Sequence, residues 1–214
     1  MGWIVVIIIL SVIGFVVYQE IQDRKLIEQV TPLYRGEWSG RKLIVPLLRM
    51  GIHPRAIFHD MYIKKPNGQY TQVDLAVATR CGIIVFEVKD YSGWIFGNGS
   101  QRYWTQILSY GREKHLFYNP IMQNAGHINA IRQCLPQNPY VPIFSVIVFS
   151  GDCELKDVSY SDNNTFVIYK SDISRVVEHI LNLDSANYGN KREIMDVFQS
   201  AVRNGNNPEV VQSQ

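Results

Sequence analysis

Two apolar runs joined by a short turn carry charge where a buried strand tolerates none. The first opens Gln72-Val73-Asp74, and the second reads Gly82-Ile83-Ile84-Val85-Phe86-Glu87-Val88-Lys89. Strand side chains alternate with period two, so Gln72, Asp74 and Ala76 share one face of the first run. Ile83, Val85, Glu87 and Lys89 share one face of the second. A hairpin closed at Arg80-Cys81 sets Thr79 opposite Gly82, Asp74 opposite Glu87 and Gln72 opposite Lys89. Opposed like charges repel. A fold keeps Asp74 against Glu87 when a cation sits between them, and a hard divalent ion with oxygen ligands suits two carboxylates beside Lys89. The same residues also fit a solvated strand face with a weak ion pair. A connection of odd length would slip the register and send the charges to opposite faces.

The chain has 214 residues, 46% of them apolar, enough for one domain with a sizeable core and short extensions. A net charge of +2 does not mark a nucleic-acid binder, so such a role needs a local basic face. Cys81, Cys134 and Cys153 are odd in number and far apart. They form no zinc motif and point to a reducing compartment.

From Trp3 to Tyr18 there is no charge. With Met1 and Gly2 the run is just long enough to cross a hydrocarbon core. It lacks the basic leader and small-residue cleavage site of an export signal. Residues 1–20 therefore read as an uncleaved transmembrane anchor with Trp3 and Tyr18 at its interfaces. Arg24, Lys25, Arg35, Arg41 and Lys42 follow it. Basic flanks stay cytoplasmic, so the expectation is a single-pass membrane protein with its C-terminal domain in the cytoplasm.

Residues 21–35 read as a juxtamembrane linker that begins as helix and breaks at Thr31-Pro32. A helical stripe runs from Trp38 to Met50, with Ser39 as N-cap, Pro46 as a kink or a later start, and Gly51 as the stop. Strands are predicted over Ala56–Lys64, Tyr70–Ala78 and Gly82–Val88, the first two joined by a Pro66-Asn67-Gly68 turn. Short strands follow around Trp94–Phe96 and Tyr103–Thr105. Pro120 opens a helix to about Cys134. Val141–Phe149 has the unbroken apolarity of a central strand, and Thr165–Tyr169 is another. Helices are expected over Ser171–Leu183, capped by Ser171, and Lys191–Val202, before a polar tail, 205–214. The order describes one α/β domain of mixed sheet.

The ordered set Gly36-Glu37, Gly40, Gln72-Val73-Asp74, Gly82 through Lys89, Gly93, Ile95, Gly97, Trp104, Asn119-Pro120, Gln123 and His127 resembles the NERD (nuclease-related) domain, a branch of the PD-(D/E)XK nuclease superfamily. The resemblance covers residues 36–150, with 151–204 completing the domain. It implies a restriction-endonuclease-like mixed sheet flanked by helices, preceded here by one transmembrane helix. It further implies a nuclease using Mg²⁺ or Mn²⁺, with Asp74, Glu87 and the backbone carbonyl of Val88 as metal ligands and Glu37 as a further candidate. Lys89 would orient the attacking water or stabilise transition-state charge, and Gln72 would bond that water or Lys89. Gln123 and His127, four apart on one helical face, are candidate substrate contacts. Nucleic acid is the implied partner, DNA ahead of RNA, with the membrane engaged through the N-terminal helix. A module that keeps the fold and binds without turnover is the competing expectation. Trp38, Trp94 and Trp104 fit either base stacking or the core. Lys64, Lys65, Arg80 and Arg102 fit either DNA-backbone contact or scattered surface charge. Two positions depart from the family pattern: Arg41 follows Gly40 where the family has Gly-Glu, and Asp90 follows Lys89 where it often has asparagine.

Overall fold

The computed structural model describes residues 2–108 and 111–212. Residue 1 of the expected anchor and residues 213 and 214 of the expected tail lie outside that range. The chain runs α1 (Gly2–Ile27), α2 (Trp38–Arg49), β1 (Ile57–Lys64), β2 (Tyr70–Thr79), β3 (Gly82–Lys89), β4 (Gly93–Asn98), β5 (Tyr103–Leu108), β6 (Glu113–Tyr118), α3 (Pro120–Gln133), β7 (Ile143–Phe149), β8 (Cys153–Ser159), β9 (Thr165–Tyr169), α4 (Ile173–Leu181), α5 (Lys191–Asn204) and α6 (Pro208–Gln212).

A mixed five-stranded sheet, β1-β2-β3-β7-β9, forms the centre. The first three strands are an antiparallel meander, while β7 joins β3 and β9 in parallel. Helices cover both faces, which is why β7 is buried at every residue. On one face Leu43, Ile44 and Leu47 of α2 and Val176, Val177 and Ile180 of α4 pack on Leu75, Val77, Ile84 and Phe86. On the other, Ala130 and Ile131 of α3 and Ile194 and Phe198 of α5 pack on Phe58, Ile83 and Val85.

A second, four-stranded sheet, β6-β5-β4-β8, draws β4, β5 and β6 from the crossover between β3 and β7 and β8 from the chain after β7. Its hinge is Trp104, 1% exposed, whose ring stacks on Phe149 of the main sheet at 6.3 Å and 5°. Trp104 is thus core rather than a base-stacking surface. Trp94 on β4 is half-buried, with Lys156 over its ring.

Helix α1 is one uninterrupted rod, long and apolar enough to span a membrane by length and composition. Its far end departs from the linker expected over 21–35. Ile27, 1% exposed, is part of the main core, and Asp23 pairs with Arg49 of α2 at 2.6 Å. Three further local differences are caps and tails. Glu37, not Ser39, occupies the N-cap of α2, without a side-chain cap bond. A 3₁₀ turn, Lys170–Asp172, precedes α4, so its N-cap is Asp172 and not Ser171. The tail expected to be unpacked contains α6, which buries Val210 at 8% exposure.

Candidate active site

The β2–β3 ladder begins at Thr79–Gly82, as the hairpin reading expects, and runs to Leu75–Phe86. The next step in register is Asp74–Glu87, and there the backbone pairing stops. The Asp74 side chain takes over: its Oδ2 accepts the Val88 N–H at 2.8 Å. The carboxylate thus bridges two strands that have begun to part, and it lies beside Glu87.

Strand β1 shows why the strands part here. The β1–β2 ladder runs from Ile57–Val77 to His59–Leu75 and resumes at Met61–Val73, skipping Asp60 and Asp74. Across that gap the alternation changes phase in both strands. Phe58 and Met61, three apart, bury on the same face, as do Val73 and Ala76. Asp60 itself is left-handed, with φ +55, an uncommon state for a residue with a Cβ. It is held there by three bonds. Arg35 Nε donates to Oδ2 at 3.1 Å, Arg35 Nη2 donates to the Asp60 carbonyl at 2.9 Å, and Gln72 Nε2 donates to Oδ1 at 2.7 Å.

The phase change relocates Gln72. It does not share the face of Asp74 or meet Lys89; its side-chain amide belongs to Asp60. Glu37 lines a cavity of about 760 Å³ with Arg35, Asp60 and Gln72. Among the described residues it makes no ion pair or hydrogen bond with Asp74 or Glu87.

Helix α3 completes the site by a match of pitch. Residues four apart on a helix rise about 6 Å, and residues two apart on a strand are separated by nearly the same length. Gln123 and His127 therefore address Lys89 and Glu87 in step. Lys89 Nζ donates to Gln123 Oε1 at 3.0 Å, and His127 Nε2 lies 3.2 Å from Glu87 Oε2, off the line of a well-directed hydrogen bond. Lys89 also pairs with Glu87 Oε1 at 2.7 Å. Thr71 Oγ1 sits 2.9 Å from His127 Nδ1. If the hydroxyl donates, the ring presents Nε2–H to Glu87. Asn124 anchors the helix from within, donating to the Val85 carbonyl at 3.0 Å and Ser145 Oγ at 2.8 Å.

The two carboxyls are driven apart in acidity. Burial above all, and then the neighbouring Glu87, push Asp74 up to about 7. Burial also pushes Glu87 up, but the His127 contact and the Lys89 charge outweigh it and hold the group below the usual carboxylate range. The pair titrates together. Asp74 thus lacks the direct contact with positive charge that Glu87 has, and the more distant pull of Lys89 does not overcome its burial.

A divalent ion would supply that charge. Among the described residues no set of three or more His, Cys, Asp or Glu side chains is gathered to hold one. The donors that are present fit a hard ion in part. Asp74 keeps one carboxylate oxygen, Oδ1, without a hydrogen bond among the described residues, whereas both oxygens of Glu87 are engaged by Lys89 and His127. Two carboxylates with a backbone carbonyl and water give oxygen-only coordination, the set magnesium and manganese prefer.

Four residues of this neighbourhood escape the motif reading: Thr71, Asn124, Asp60 and Arg35. The available signal was Asp60, a charge in a strand otherwise buried on both faces. Of the candidate basic residues, Arg80 lies at the far end of β2 and bonds Ser185 and Leu181. Lys64 and Lys65 lie at the β1–β2 turn, the end of β2 nearer Asp74. Arg102 precedes β5 and lies over the Tyr103 ring.

A mixed sheet flanked by helices, with Asp74 and the Glu87-Val88-Lys89 triplet at one end, defines a nuclease-like α/β domain. The chain belongs to the nuclease-related domain (NERD) family, whose profile matches residues 34–150. An uncharacterized protein of Bacillus anthracis is 28% identical over 180 residues, covering 83% of this chain and 80% of that protein. No solved structure matches the chain.

Proposed function

We propose that the chain is a membrane-anchored nuclease that hydrolyses phosphodiester bonds of nucleic acid, DNA ahead of RNA, with Mg²⁺ or Mn²⁺. The observation that carries the reading is the contact set at the end of β3. Asp74 and Glu87 adjoin there, and Lys89 is fixed between Glu87 and Gln123. Asp74, Glu87 and the Val88 carbonyl would hold the ion. When bound, it would polarise a phosphoryl oxygen and acidify a water. Lys89 places a cation where negative charge grows on the phosphoryl group. His127 and Thr71 orient Glu87, and Gln123 orients Lys89. The uncharged part of α1 spans the bilayer, and the basic residues after it keep the domain in the cytoplasm.

The test is cleavage of single- and double-stranded DNA and RNA by the full chain in detergent, with Mg²⁺, Mn²⁺ or EDTA. Cutting that needs the metal and disappears in Lys89→Met is the expected result. A folded protein that cuts none of the four substrates with either metal overturns it.

A second reading has an observation of its own. Only two carboxylates meet at the site among the described residues, Glu37 stands apart from them, and Arg41 follows Gly40. On this reading the domain is a nucleic-acid-binding or scaffold module without turnover. Oligonucleotide binding without cleavage in the same assay would favour it.

A further inference from the structure

A cavity of about 600 Å³ lies where α1 meets the domain, walled by α1, α2 and the turn before α4. Its charges do not balance. The two carboxylates that reach it are already paired, Glu20 with Arg24 and Asp23 with Arg49. Lys42 and Lys170 also line it, and neither forms an ion pair among the described residues. Lys42 lies over the Trp38 ring, 5.1 Å from its centre. Burial and the charge of Lys42 push the Lys170 ammonium below its usual range, against the opposing pull of Asp23 and Asp90. Two cations thus face one cavity with no carboxylate in ion-pair contact with either among the described residues, and the hydroxyl residues Ser171 and Ser174 are on its wall.

The depth of this cavity follows from the continuity of α1. The uncharged run ends at Tyr18, and Glu20 and Asp23 are on the cavity wall in the same unbroken helix. Five residues of helix rise about 7.5 Å. The headgroup layer beyond the hydrocarbon is roughly 5–8 Å thick on each side. If the apolar part of α1 spans the bilayer, the cavity opens within that layer. We propose that it holds the phosphate of an anionic phospholipid headgroup, bound between Lys42 and Lys170. The proposal rests on the membrane-anchor reading and assigns the anchored domain a fixed seat on the bilayer.

The test uses the full chain. Native mass spectrometry in detergent, with equal amounts of phosphatidylglycerol and phosphatidylcholine, is expected to show phosphatidylglycerol retained roughly 10- to 30-fold more. The preference disappears in Lys42→Ala/Lys170→Ala. It survives in Lys42→Arg/Lys170→Arg, which keeps the charge, and in Arg112→Ala/Lys114→Ala, which removes two charges next to and on β6. Equal retention of the two lipids, or a preference that survives loss of both lysines, overturns the proposal. So does displacement of the lipid by millimolar inorganic phosphate, which would mark a free-phosphate site. Loss of duplex-DNA binding in the lysine double variant with lipid preference intact would assign the cavity to nucleic acid instead. Flotation with pure phosphatidylcholine vesicles separates the two readings. A chain that floats without preferring phosphatidylglycerol loses only the headgroup site. A chain that does not float loses the anchor, and the headgroup site falls with it.

Discussion

Asp60 and Asp74 stand opposite each other at the one position that the β1–β2 ladder skips, and both strands change phase there. The left-handed Asp60 is held by Arg35 and Gln72, while Asp74 leaves the ladder to accept from Val88. A clamp on one strand thus sets the conformation at which the neighbouring strand presents its carboxylate.

Arg35 is therefore expected to matter to both stability and the site. Its side chain and that of Asp60 are 9% and 6% exposed. Removing one partner of a buried pair leaves a bare charge and costs about 3–5 kcal/mol. Arg35→Ala should lower the urea midpoint accordingly. Asp60→Gly should retain more stability, because glycine accepts the left-handed backbone and the Arg35 guanidinium left behind still donates to the residue-60 carbonyl, the Val202 carbonyl and Asn206. Equal losses in the two variants would separate the clamp from the backbone conformation.

Asp74 makes the metal-free protein sensitive to pH. Its folded value is raised from 3.8 to about 7, so the folded state binds the proton more tightly than the unfolded state. Stability then falls as pH rises from about 4 to about 7. Glu87, held low, acts in the opposite direction and loses its contribution as pH falls. Denaturation in EDTA across this range should show the fall in the wild type. Asp74→Asn should abolish it and leave only the Glu87 effect, a loss of stability as pH falls below about 4.5. Mn²⁺ should raise the melting temperature of the wild type near pH 8 and have no effect on Asp74→Asn.

Thr71 touches neither carboxylate, yet it sets the ring that faces Glu87. Thr71→Val keeps the shape and removes the hydroxyl. His127 stands one step behind Glu87, and such partners are worth about 10–100-fold in metal affinity or activity. Thr71 acts through His127, so cleavage rate and Mn²⁺ affinity should drop in Thr71→Val by about 10-fold, the lower end of that range, and recover in Thr71→Ser. An unchanged Thr71→Val would remove His127 from the site's machinery.

The hairpin, the Glu-x-Lys triplet and α3 were legible because each carries its periodicity openly. Charges break an apolar alternation in β2 and β3, and Pro120 opens a helical stripe. The second sheet was only half legible. Strand β6 is exposed at five of six residues, so burial imposed no alternation on Glu113–Tyr118. Strand β8 contains an extra residue where its pairing with β4 shifts register between Ile95 and Phe96, and a bulge destroys period two. The misplacement of Gln72 has the same physical root. Strict alternation carries Gln72 onto the face of Asp74, whereas the phase change at Asp60 and Asp74 depends on Arg35, a residue remote in sequence from both strands.

Gly97 is the tightest contact in the second sheet. A Cβ built there would lie 2.0 Å from Trp104 Cδ2. Trp104 is itself wedged against Phe149 and donates its Nε1–H to the Asn98 carbonyl at 3.0 Å, so the ring has no room to retreat. Gly97→Ala should cost about 3 kcal/mol, the upper part of the range for overpacking. It should also blue- or red-shift Trp104 emission as the ring is displaced. Retained stability and an unchanged spectrum would show that the sheet can move instead.

The end of α1 decides where a soluble fragment can start. Ile27 is fully inside the core beside α2, and Asp23 reaches back to Arg49. A chain beginning at Glu28 loses both, together with the last helical turn. Burying one isoleucine contributes about 1.5–3 kcal/mol, and an exposed ion pair adds less than about 1 kcal/mol. A fragment beginning at Gln19 removes the apolar run and keeps the turn that seals the core. It should unfold at higher urea than the Glu28 fragment, by an amount close to that isoleucine. Ile27→Ala in the longer fragment should reproduce most of the difference, while Asp23→Ala should reproduce little of it. The reverse order would place the stabilisation in the ion pair rather than in the buried side chain.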